Sequence, residues 1–160
     1  MTIEPARAGD RGAVEELLTL CGLPLEGVGD QFARFLVARV PARRGGTEIV
    51  GCAGLEAYGA ACVLRSLAVA PGARGLGTGR ALFTAVIDEA RRAGCAEIYL
   101  LTYTIERMAA RMGFSPIARE DVPPEARASR EFAINACDSA AVMRLPLRPA
   151  RADLSDQSTS

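Results

Sequence analysis

Hydrophobic positions recur along the chain with the spacings of strands and helices, beginning at the first residues. Thr2–Ala6 alternates weakly between apolar and polar residues and predicts a strand. Asp10 is typical of a helix N-cap, and apolar residues recur behind it at helical spacing up to Gly22, where the helix should end. A second, short helix is predicted over about Leu25–Arg34.

The next segment predicts three strands that follow one another as a meander. Phe35–Val40 is a compact apolar run, and residues 41–46 have the proline and glycine content of a turn. Glu48–Tyr58 predicts the partner strand of this hairpin. A tight connection then leads to a strand over Ala61–Ala70, which ends at Pro71.

The second half of the chain predicts short helices and strands. An apolar stripe over residues 82–90 predicts an amphipathic helix, and the almost wholly apolar Glu97–Thr102 indicates a strand buried on both faces. A helix over Ile105–Met112, a strand over Phe114–Ala118, a short helix over Glu125–Phe132 and a last strand over Ala141–Leu147 complete the expected elements. One domain is expected over residues 1–147, followed by a disordered polar tail over 148–160.

Composition narrows the classes of function. The hydrophobic fraction of 49% is ample for one core in 160 residues. Lys plus Arg and Asp plus Glu number 19 each, so the net charge favours neither nucleic acid nor an anionic membrane as a partner. No apolar run approaches the roughly 18 residues of a membrane span, and the first ten residues are too polar for a signal peptide.

Histidine is absent from the sequence, and cysteines are scattered. The absence of His removes His-based triads, His-bearing zinc sites and the usual base at neutral pH, and no metal is expected. The five cysteines contain no C-x-x-C pair, which favours reduced thiols in a cytoplasmic protein. They are Cys21, Cys52, Cys62, Cys95 and Cys137.

A glycine-rich turn links the strand Ala61–Ala70 to the amphipathic helix and is the most informative segment. Its sequence is Arg74-Gly75-Leu76-Gly77-Thr78-Gly79-Arg80. The start of a helix presents unpaired N–H groups and the positive end of the helix dipole, and glycines let that backbone approach an anion closely. This segment is therefore expected to hold phosphate groups with its backbone.

Three kinds of phosphate loop compete for this segment. A dinucleotide-binding loop requires G-x-G-x-x-G, but Gly79 comes one place early, and a P-loop requires a lysine that the segment lacks. The pattern R/Q-x-x-G-x-G/A after a strand ending in V-x-P fits Arg74, Gly77 and Gly79, with Val69 and Pro71 in place. A glycine-rich helix start without a ligand is the remaining alternative.

With this loop, the order of the elements and the closing sequence Ala110-Arg111-Met112-Gly113-Phe114, residues 1–147 resemble the Gcn5-related N-acetyltransferase (GNAT) superfamily. The resemblance implies an α/β fold with a central, mostly antiparallel sheet flanked by helices. Two central parallel strands splay apart in that fold, and acetyl-CoA lies in the gap as the acetyl donor. The implied reaction is acetyl transfer to a primary amine in a ternary complex, in a protein that is often a homodimer.

A narrower resemblance is carried by residues 54–59, 64–71, 128–132 and 137–140, which look like the N-acetyltransferases of arsenic-resistance operons. That group is itself similar to amino-acid N-acetyltransferases. The acceptor implied by this resemblance is a small molecule, either an amino acid or an amino-acid-like compound such as an organoarsenical.

The superfamily resemblance assigns the cofactor to two segments. Backbone groups of Leu67, Ala68 and Val69 would face the thioester oxygen and the pantetheine amides. The Leu67 N–H is the expected oxyanion donor. The pyrophosphate would be held by Arg74, Gly75, Leu76, Gly77, Thr78, Gly79 and Arg80.

Without histidine, a general base must be a carboxylate that acts directly or through water. Glu56 is the favoured base because it lies on the strand before Ala61–Ala70, the cofactor strand that contains Leu67. An ordinary solvated carboxylate on a strand is an equally good interpretation of Glu56. Glu97 and Glu106 are weaker candidates that fit ordinary surface positions.

The position of the usual leaving-group acid departs from the superfamily pattern. Many members place a Tyr four residues before the glycine of the closing motif, where this chain has Ala109. Tyr103 and Cys137 are the substitutes considered, and a buried structural thiol is the alternative for Cys137. A thiolate is a good enough leaving group to make a dedicated acid dispensable.

Arg65, Tyr58 and Ser66 are the expected substrate-binding residues. Strand alternation would place Arg65 on one face with Leu67 and Val69, and Ser66 on the other. A buried arginine must be paired. It could bind the carboxylate of an amino-acid substrate, or form an internal salt bridge to Glu56 or Glu97.

Two functions of other classes stay open at this level. A non-catalytic acetyl-CoA sensor or interaction module on the same fold is favoured by Ala109 and the missing histidine. A structural or toxin-neutralising partner protein would bind no cofactor. Among enzymes, protein N-termini and lysines are the alternative acceptors, but the sequence has no acidic run beyond Glu120-Asp121 to line an open groove.

Overall fold

Seven strands and four α-helices follow one another through residues 1–129, 131–132 and 140–147, which the computed structural model describes. The strands are β1 (Thr2–Pro5), β2 (Leu36–Pro41), β3 (Thr47–Tyr58), β4 (Ala61–Val69), β5 (Glu97–Thr102), β6 (Ser115–Pro116) and β7 (Ala141–Pro146). The helices are α1 (Arg11–Leu20), α2 (Thr78–Arg92), α3 (Glu106–Arg111) and α4 (Pro124–Arg127). This order confirms most of the predicted elements, and the expected tail over 148–160 lies outside the described residues.

All the strands join one sheet in the order β1-β2-β3-β4-β5-β7-β6. Neighbouring strands are antiparallel except for β4 and β5, which run parallel through the centre. The crossover between those two parallel strands contains α2. The sheet is thus mixed and mostly antiparallel, as predicted.

Alternation along the central strands gives the sheet two buried faces. Leu55 of β3 and Leu64 of β4 pack in a cluster with α2, whereas Cys52 and Ala68 pack in another cluster with α1. At Gly51, an added Cβ would lie 2.8 Å from a methyl group of Leu82, so α2 approaches β3 closely. This close contact fixes the start of α2 beside the end of β4.

The predicted helix over Leu25–Arg34 is wrong. Residues 26–31 form turns, and only Phe32–Arg34 forms a 3-10 turn. Gly27 has a φ of 77°, in the left-handed region that interrupts a right-handed helix. The Gln31 side chain instead accepts a hydrogen bond from the Ala57 N–H at 2.8 Å. This bond continues the hydrogen bonding of β3 past the point where β2 begins.

Three further elements differ from the predictions in length or detail. Helix α4 ends at Arg127 and a turn follows, although Glu131 and Phe132 are again helical. Strand β6 contains two residues where a longer strand was expected. Asp10 does precede α1, but its carboxylate accepts from the Arg7 N–H and from Arg39 and makes no capping bond to α1. The Asp10 carboxylate is occupied by its ion pair with Arg39 of β2 and is therefore not available to cap α1.

The expectation that all cysteines are free is wrong for one pair. Cys62 in β4 and Cys95 before β5 form a disulfide, with their Cα atoms 6.1 Å apart. Cys21 and Cys52 are free. The disulfide lies at the end of the sheet where β4 and β5 are hydrogen-bonded to each other.

Candidate functional site

A wedge opens between the two parallel strands at the centre of the sheet. In the described sheet, β4 pairs with β5 only from Ala61–Val63 to Glu97–Tyr99. The rest of β4, Leu64–Val69, keeps its pairing with β3 but leaves β5. Strand β5 continues along β7 up to Thr102. One edge of β4 is therefore free of a strand partner over residues 64–69.

A glycine in the left-handed backbone conformation precedes the first residue of α2, the helix that follows β4. Gly75 has a φ of 81° and Gly77, the N-cap of α2, a φ of 82°. A side chain at either position would be strained, which explains why glycine is needed there. The first intrahelical bond runs from the Ala81 N–H to the Gly77 carbonyl. The preceding N–H groups at the start of α2 lack helical acceptors and can bind an anion.

A cavity of about 710 Å³ joins the free edge of β4 to the start of α2. Thr104, Ile105 and Met108 close it from the α3 side, and Cys21 and Leu23 close it from the end of α1. Nine of the ten predicted cofactor residues line it. They are Leu67, Ala68, Val69, Arg74, Gly75, Gly77, Thr78, Gly79 and Arg80.

The tenth residue, Leu76, lies outside the lining and is 77% exposed. Among the described residues, the lining contains two arginines, Arg74 and Arg80, and no carboxylate. The positive end of α2 adds to this charge. The electrostatics of the cavity therefore favour an anionic ligand.

Arg74 crosses from the loop to the end of β4. Its Nε donates to the Val69 carbonyl at 3.0 Å, and its terminal nitrogen lies 3.6 Å from the Cys21 sulfur. The Cys21 thiol also contacts the Val69 carbonyl at 3.6 Å. Loop, strand and the end of α1 are joined at this point, beside the residues predicted to face pantetheine.

A β-bulge interrupts the cofactor strand at Ser66. Gly54 faces Arg65 and Cys52 faces Ala68, so Ser66 and Leu67 stand together opposite Ala53. Ser66 has a φ of 57°, a left-handed conformation that costs a non-glycine residue about 1–3 kcal/mol. A bulge leaves its extra residue unpaired in the ladder. The interruption adjoins Leu67, the predicted oxyanion donor.

This bulge corrects the predicted faces of β4. Arg65 shares the α1 side of the sheet with Ala68, whereas Leu67 and Val69 pack against the cluster around α2. The simple alternation of a strand fails because two residues oppose one. Arg65 is therefore separated from Leu67, which was expected on the same face.

The Arg65 side chain is fully buried and surrounded by acceptors. One terminal nitrogen donates to the Glu26 carbonyl at 2.6 Å, and the other lies 3.4 Å from Glu56 Oε2. Its Nε donates to the Ser66 hydroxyl at 3.1 Å and lies 3.7 Å from Glu131. These contacts match the internal salt bridge that was the alternative to substrate binding.

Glu56 is 1% exposed and is absent from the lining of the cavity. Burial raises the pKa of its carboxyl group, and the charge and hydrogen bond of Arg65 oppose that rise. Tyr58, half-buried two residues further along β3, also opposes it. The chain thus contains an enclosed carboxylate with a raised pKa beside the cofactor strand.

Among the other predicted catalytic residues, Glu97, Glu106 and Tyr103 do not line the cavity. Glu97 binds Tyr99 and Arg144, and the hydrogen bond from Arg144 lowers its pKa, which makes it a poor base at neutral pH. Glu106 is exposed at the start of α3, and Tyr103 is 58% exposed. Ala109 is buried in the core cluster around α2, and Cys137 lies outside the described residues.

Sequence reasoning missed Glu131 and the Glu26 carbonyl as partners of Arg65. Glu131 lies in a segment of the narrower resemblance, residues 128–132, but nothing in the sequence links it or Glu26 to Arg65, and both are far from Arg65 along the chain. Within the part of the chain that the structure describes, no group of three or more metal-ligating side chains occurs. No described helix is long and apolar enough to cross a membrane.

Solved structures with the same fold include proteins crystallised with CoA. Rv2747 from Mycobacterium tuberculosis, in complex with CoA, has a TM-score of 0.76 at 22% identity over 92% of this chain and 100% of its own. N-acetylglutamate synthase from Neisseria gonorrhoeae, complexed with CoA and N-acetyl-glutamate, has a TM-score of 0.74 at 22% identity. The match covers 92% of this chain but 35% of the synthase chain.

The ribosomal-protein-S18-alanine N-acetyltransferase from Escherichia coli has a TM-score of 0.64 at 21% identity over 91% of this chain and 92% of its own. Among curated proteins, none matches the chain significantly. The family model of the acetyltransferase (GNAT) family matches residues 11–114, a span that includes the bulged strand and the glycine loop. The chain therefore belongs to the acetyltransferase (GNAT) family.

Proposed function

We propose that this protein transfers an acetyl group from acetyl-CoA to the primary amine of a small molecule. The observation that carries this proposal is the cavity itself, which runs from the N-terminus of α2 to Leu67 and has two arginines and no carboxylate among its described lining residues. A diphosphate fits the helix start and the two arginines. A pantetheine arm fits the free edge of β4, which offers backbone partners.

The chemistry is direct attack of a neutral amine on the thioester. The amine nitrogen bonds to the thioester carbon and an oxyanion develops on the carbonyl oxygen. When the carbonyl re-forms, the C–S bond breaks, and CoA leaves as a thiolate that carries the electron pair of that bond and takes its proton from solvent. The Leu67 N–H, beside the bulge at Ser66, is the donor for the developing oxyanion. Because a thiol has a pKa of about 8.5, departure of the sulfur needs no dedicated acid, which is compatible with the buried Ala109.

Glu56 is the proposed acceptor of the amine proton. Its raised pKa suits a base that works near neutral pH. Since Glu56 does not line the cavity, the proton reaches it through water. Cys137 is no longer needed as an acid in this scheme, and Tyr103 is too exposed to shield a leaving group.

The proposed acceptor is an amino acid or an amino-acid-like compound, with an organoarsenical as one member of the class. The resemblance to enzymes of arsenic-resistance operons supports it, as does the fold shared with a synthase complexed with N-acetyl-glutamate. Arg65 already has internal partners on its donors, which leaves Tyr58 and Ser66 as the proposed contacts of the acceptor, although neither lines the cavity. We also propose a homodimer, as is frequent in the superfamily, and a cytoplasmic location, against which the Cys62–Cys95 disulfide counts.

One observation favours a second function, an acetyl-CoA sensor on the same fold. The cavity holds no carboxylate among its described lining residues, so a ligand could bind there without turning over. Release of free thiol from acetyl-CoA separates the two functions, because a sensor releases none.

The test combines binding with turnover on the whole chain. Acetyl-CoA at about 100 times its dissociation constant should stabilise the fold by about 2.7 kcal/mol, read as a thermal shift. A panel of amino acids, simple amines and organoarsenicals is then assayed for thiol release. Stabilisation without release for any acceptor would identify the sensor, and no stabilisation would leave a protein without this cofactor.

A further inference from the structure

Three segments of the chain meet at the Arg65 guanidinium. The turn before β2 contributes the Glu26 carbonyl, β3 contributes Glu56, and the segment after α4 contributes Glu131. The Arg65 side chain is 0% exposed, and the side chains of Glu56 and Glu131 are 2% and 9% exposed. One buried cation therefore serves two buried carboxylates.

Neither carboxylate has Arg65 to itself. The closest N–O distances are 3.4 Å to Glu56 and 3.7 Å to Glu131, whereas a close charge-assisted bond is about 2.7–2.9 Å long. Two donors of Arg65 are occupied by the Glu26 carbonyl and the Ser66 hydroxyl. The guanidinium is thus held between the two acids and binds neither through a bidentate pair.

The two oxygens of Glu56 have different surroundings. Oε2 faces Arg65, whereas Oε1 is buried and accepts no hydrogen bond of normal geometry from the described residues. A buried, unpaired carboxylate oxygen is costly when it is charged. When Glu56 is neutral, its proton therefore belongs on Oε1.

We propose that Glu131 is a positioning residue that draws Arg65 away from Glu56 and so keeps Glu56 able to take up a proton at Oε1. This inference rests on the proposed function, in which Glu56 receives the proton of the acceptor amine. Without Glu131, the positive charge of Arg65 would no longer be shared between these two carboxylates. Arg65 would then stabilise the charged form of Glu56 more strongly, which would make Glu56 a weaker base.

The other groups around Glu56 do not replace this effect. Burial raises the pKa of Glu56, Arg65 and the Tyr58 side chain lower it, and Asp30 raises it from the exposed turn before β2. Asp30 is solvated, so its influence is screened. Glu131 is the buried negative charge on the opposite side of Arg65.

The test follows the Glu56 carboxyl group directly by NMR, in the full chain labelled with ¹³C at the glutamate carboxyl carbons. The Glu56 signal is assigned by its loss in Glu56→Gln. In the unmodified protein it should titrate above the ordinary glutamate pKa of about 4.3. In Glu131→Gln its midpoint should fall by about one pH unit. Glu4→Gln, which removes a carboxylate paired with Arg39 on β1 and β2, is the matched control and should leave the midpoint in place.

A Glu56 midpoint that does not move in Glu131→Gln would overturn the inference. If that variant fails to fold, Glu131→Asp keeps the charge but lengthens the contact, and it should shift the midpoint in the same direction by less. The proposed function has its own readout: full thiol release by Glu56→Gln would remove Glu56 as the base, even where the NMR midpoint responds to Glu131.

Discussion

Strand β4 contributes to two sites that bind their partners differently: the cavity at the start of α2, and the Arg65 cluster, which consists of Arg65, Glu56 and Glu131. The cavity, at the end of β4, is formed by strand edge, glycine turn and helix start, and its two arginines include the exposed Arg74. The cluster, before the bulge at Ser66, is closed and formed by charged side chains that are nine-tenths buried or more. One site offers backbone to a ligand, and the other satisfies its charges internally.

This contrast separates what each site requires of the sequence. A backbone cradle needs little more than glycines at the right phase between a strand and a helix, because the N–H groups come with the fold. A buried ion cluster needs partners from distant segments that fold together around it. We therefore expect the proposed cofactor site to tolerate side-chain changes outside the glycines and the two arginines, whereas the cluster should be sensitive to the loss of any charge.

The largest expected effect is on stability, in Arg65→Met. This change leaves Glu56 and Glu131 buried without their cation, and breaking a buried pair from one side costs about 3–5 kcal/mol. Urea unfolding at neutral pH measures the loss. Arg91→Met is the control, because its ion pair with Asp88 is solvent-exposed and such surface changes stay within about 0.5 kcal/mol. Equal stability of the two variants would contradict the account.

Cofactor affinity should respond most strongly to Gly77→Trp. The indole would fill the mouth of the cavity at the start of α2, and the dissociation constant for CoA should rise more than about 100-fold, or 2.7 kcal/mol. Gly45→Trp is the matched control, since Gly45 also has a positive φ (92°) and open surroundings but lies in the β2–β3 turn. Calorimetric titration with CoA should separate the two variants; wild-type affinity in Gly77→Trp would remove the loop assignment.

Turnover should distinguish the sites through Glu56→Gln. Losing a general base lowers the rate about 100-fold or more, whereas the CoA dissociation constant should stay unchanged because Glu56 lies outside the cavity. Steady-state thiol release and CoA titration of the same preparation supply both numbers. An unchanged rate would dismiss Glu56 as the base.

The smallest expected effect is a pH dependence at the ion pair of β5 and β7. Hydrogen bonds from Arg144 and Tyr99 lower the pKa of Glu97, so the folded chain binds this proton more weakly than the unfolded chain. The stability it contributes is present above the ordinary Glu pKa of about 4.3 and is lost as the pH falls below it. Urea unfolding between pH 3 and 7 should show a shallower acid loss in Glu97→Gln, by less than about 1 kcal/mol. An identical slope would count against the pair.

The shape of the glycine loop could be predicted because its determinants are local, whereas its binding of a cofactor stays a prediction. Glycines at 75 and 77 take positive φ values that few other residues adopt, and the strand before them and the helix behind them are visible in the apolar pattern. The same pattern predicted most of the strands, which depend on neighbours within a few residues along the chain. The mixed sheet was implied by the family resemblance.

The substrate side could not be predicted because its determinants are distant or without a signal. Ser66 has a left-handed φ that a serine in the sequence does not predict. Because of the resulting bulge, Arg65 and Leu67 lie on different faces of the sheet. Glu131 reaches Arg65 from a segment far along the chain, after α4. Cys62 and Cys95 pair across 33 residues for the same reason.

The central claim is that backbone N–H groups at the start of α2 hold the diphosphate of CoA, and a crystal structure of the protein grown with CoA tests it most directly. The account predicts diphosphate oxygens within hydrogen-bond distance of N–H groups between Gly75 and Arg80, with the pantetheine arm along Leu67–Val69. A structure in which CoA is bound elsewhere, with that turn empty, would contradict it.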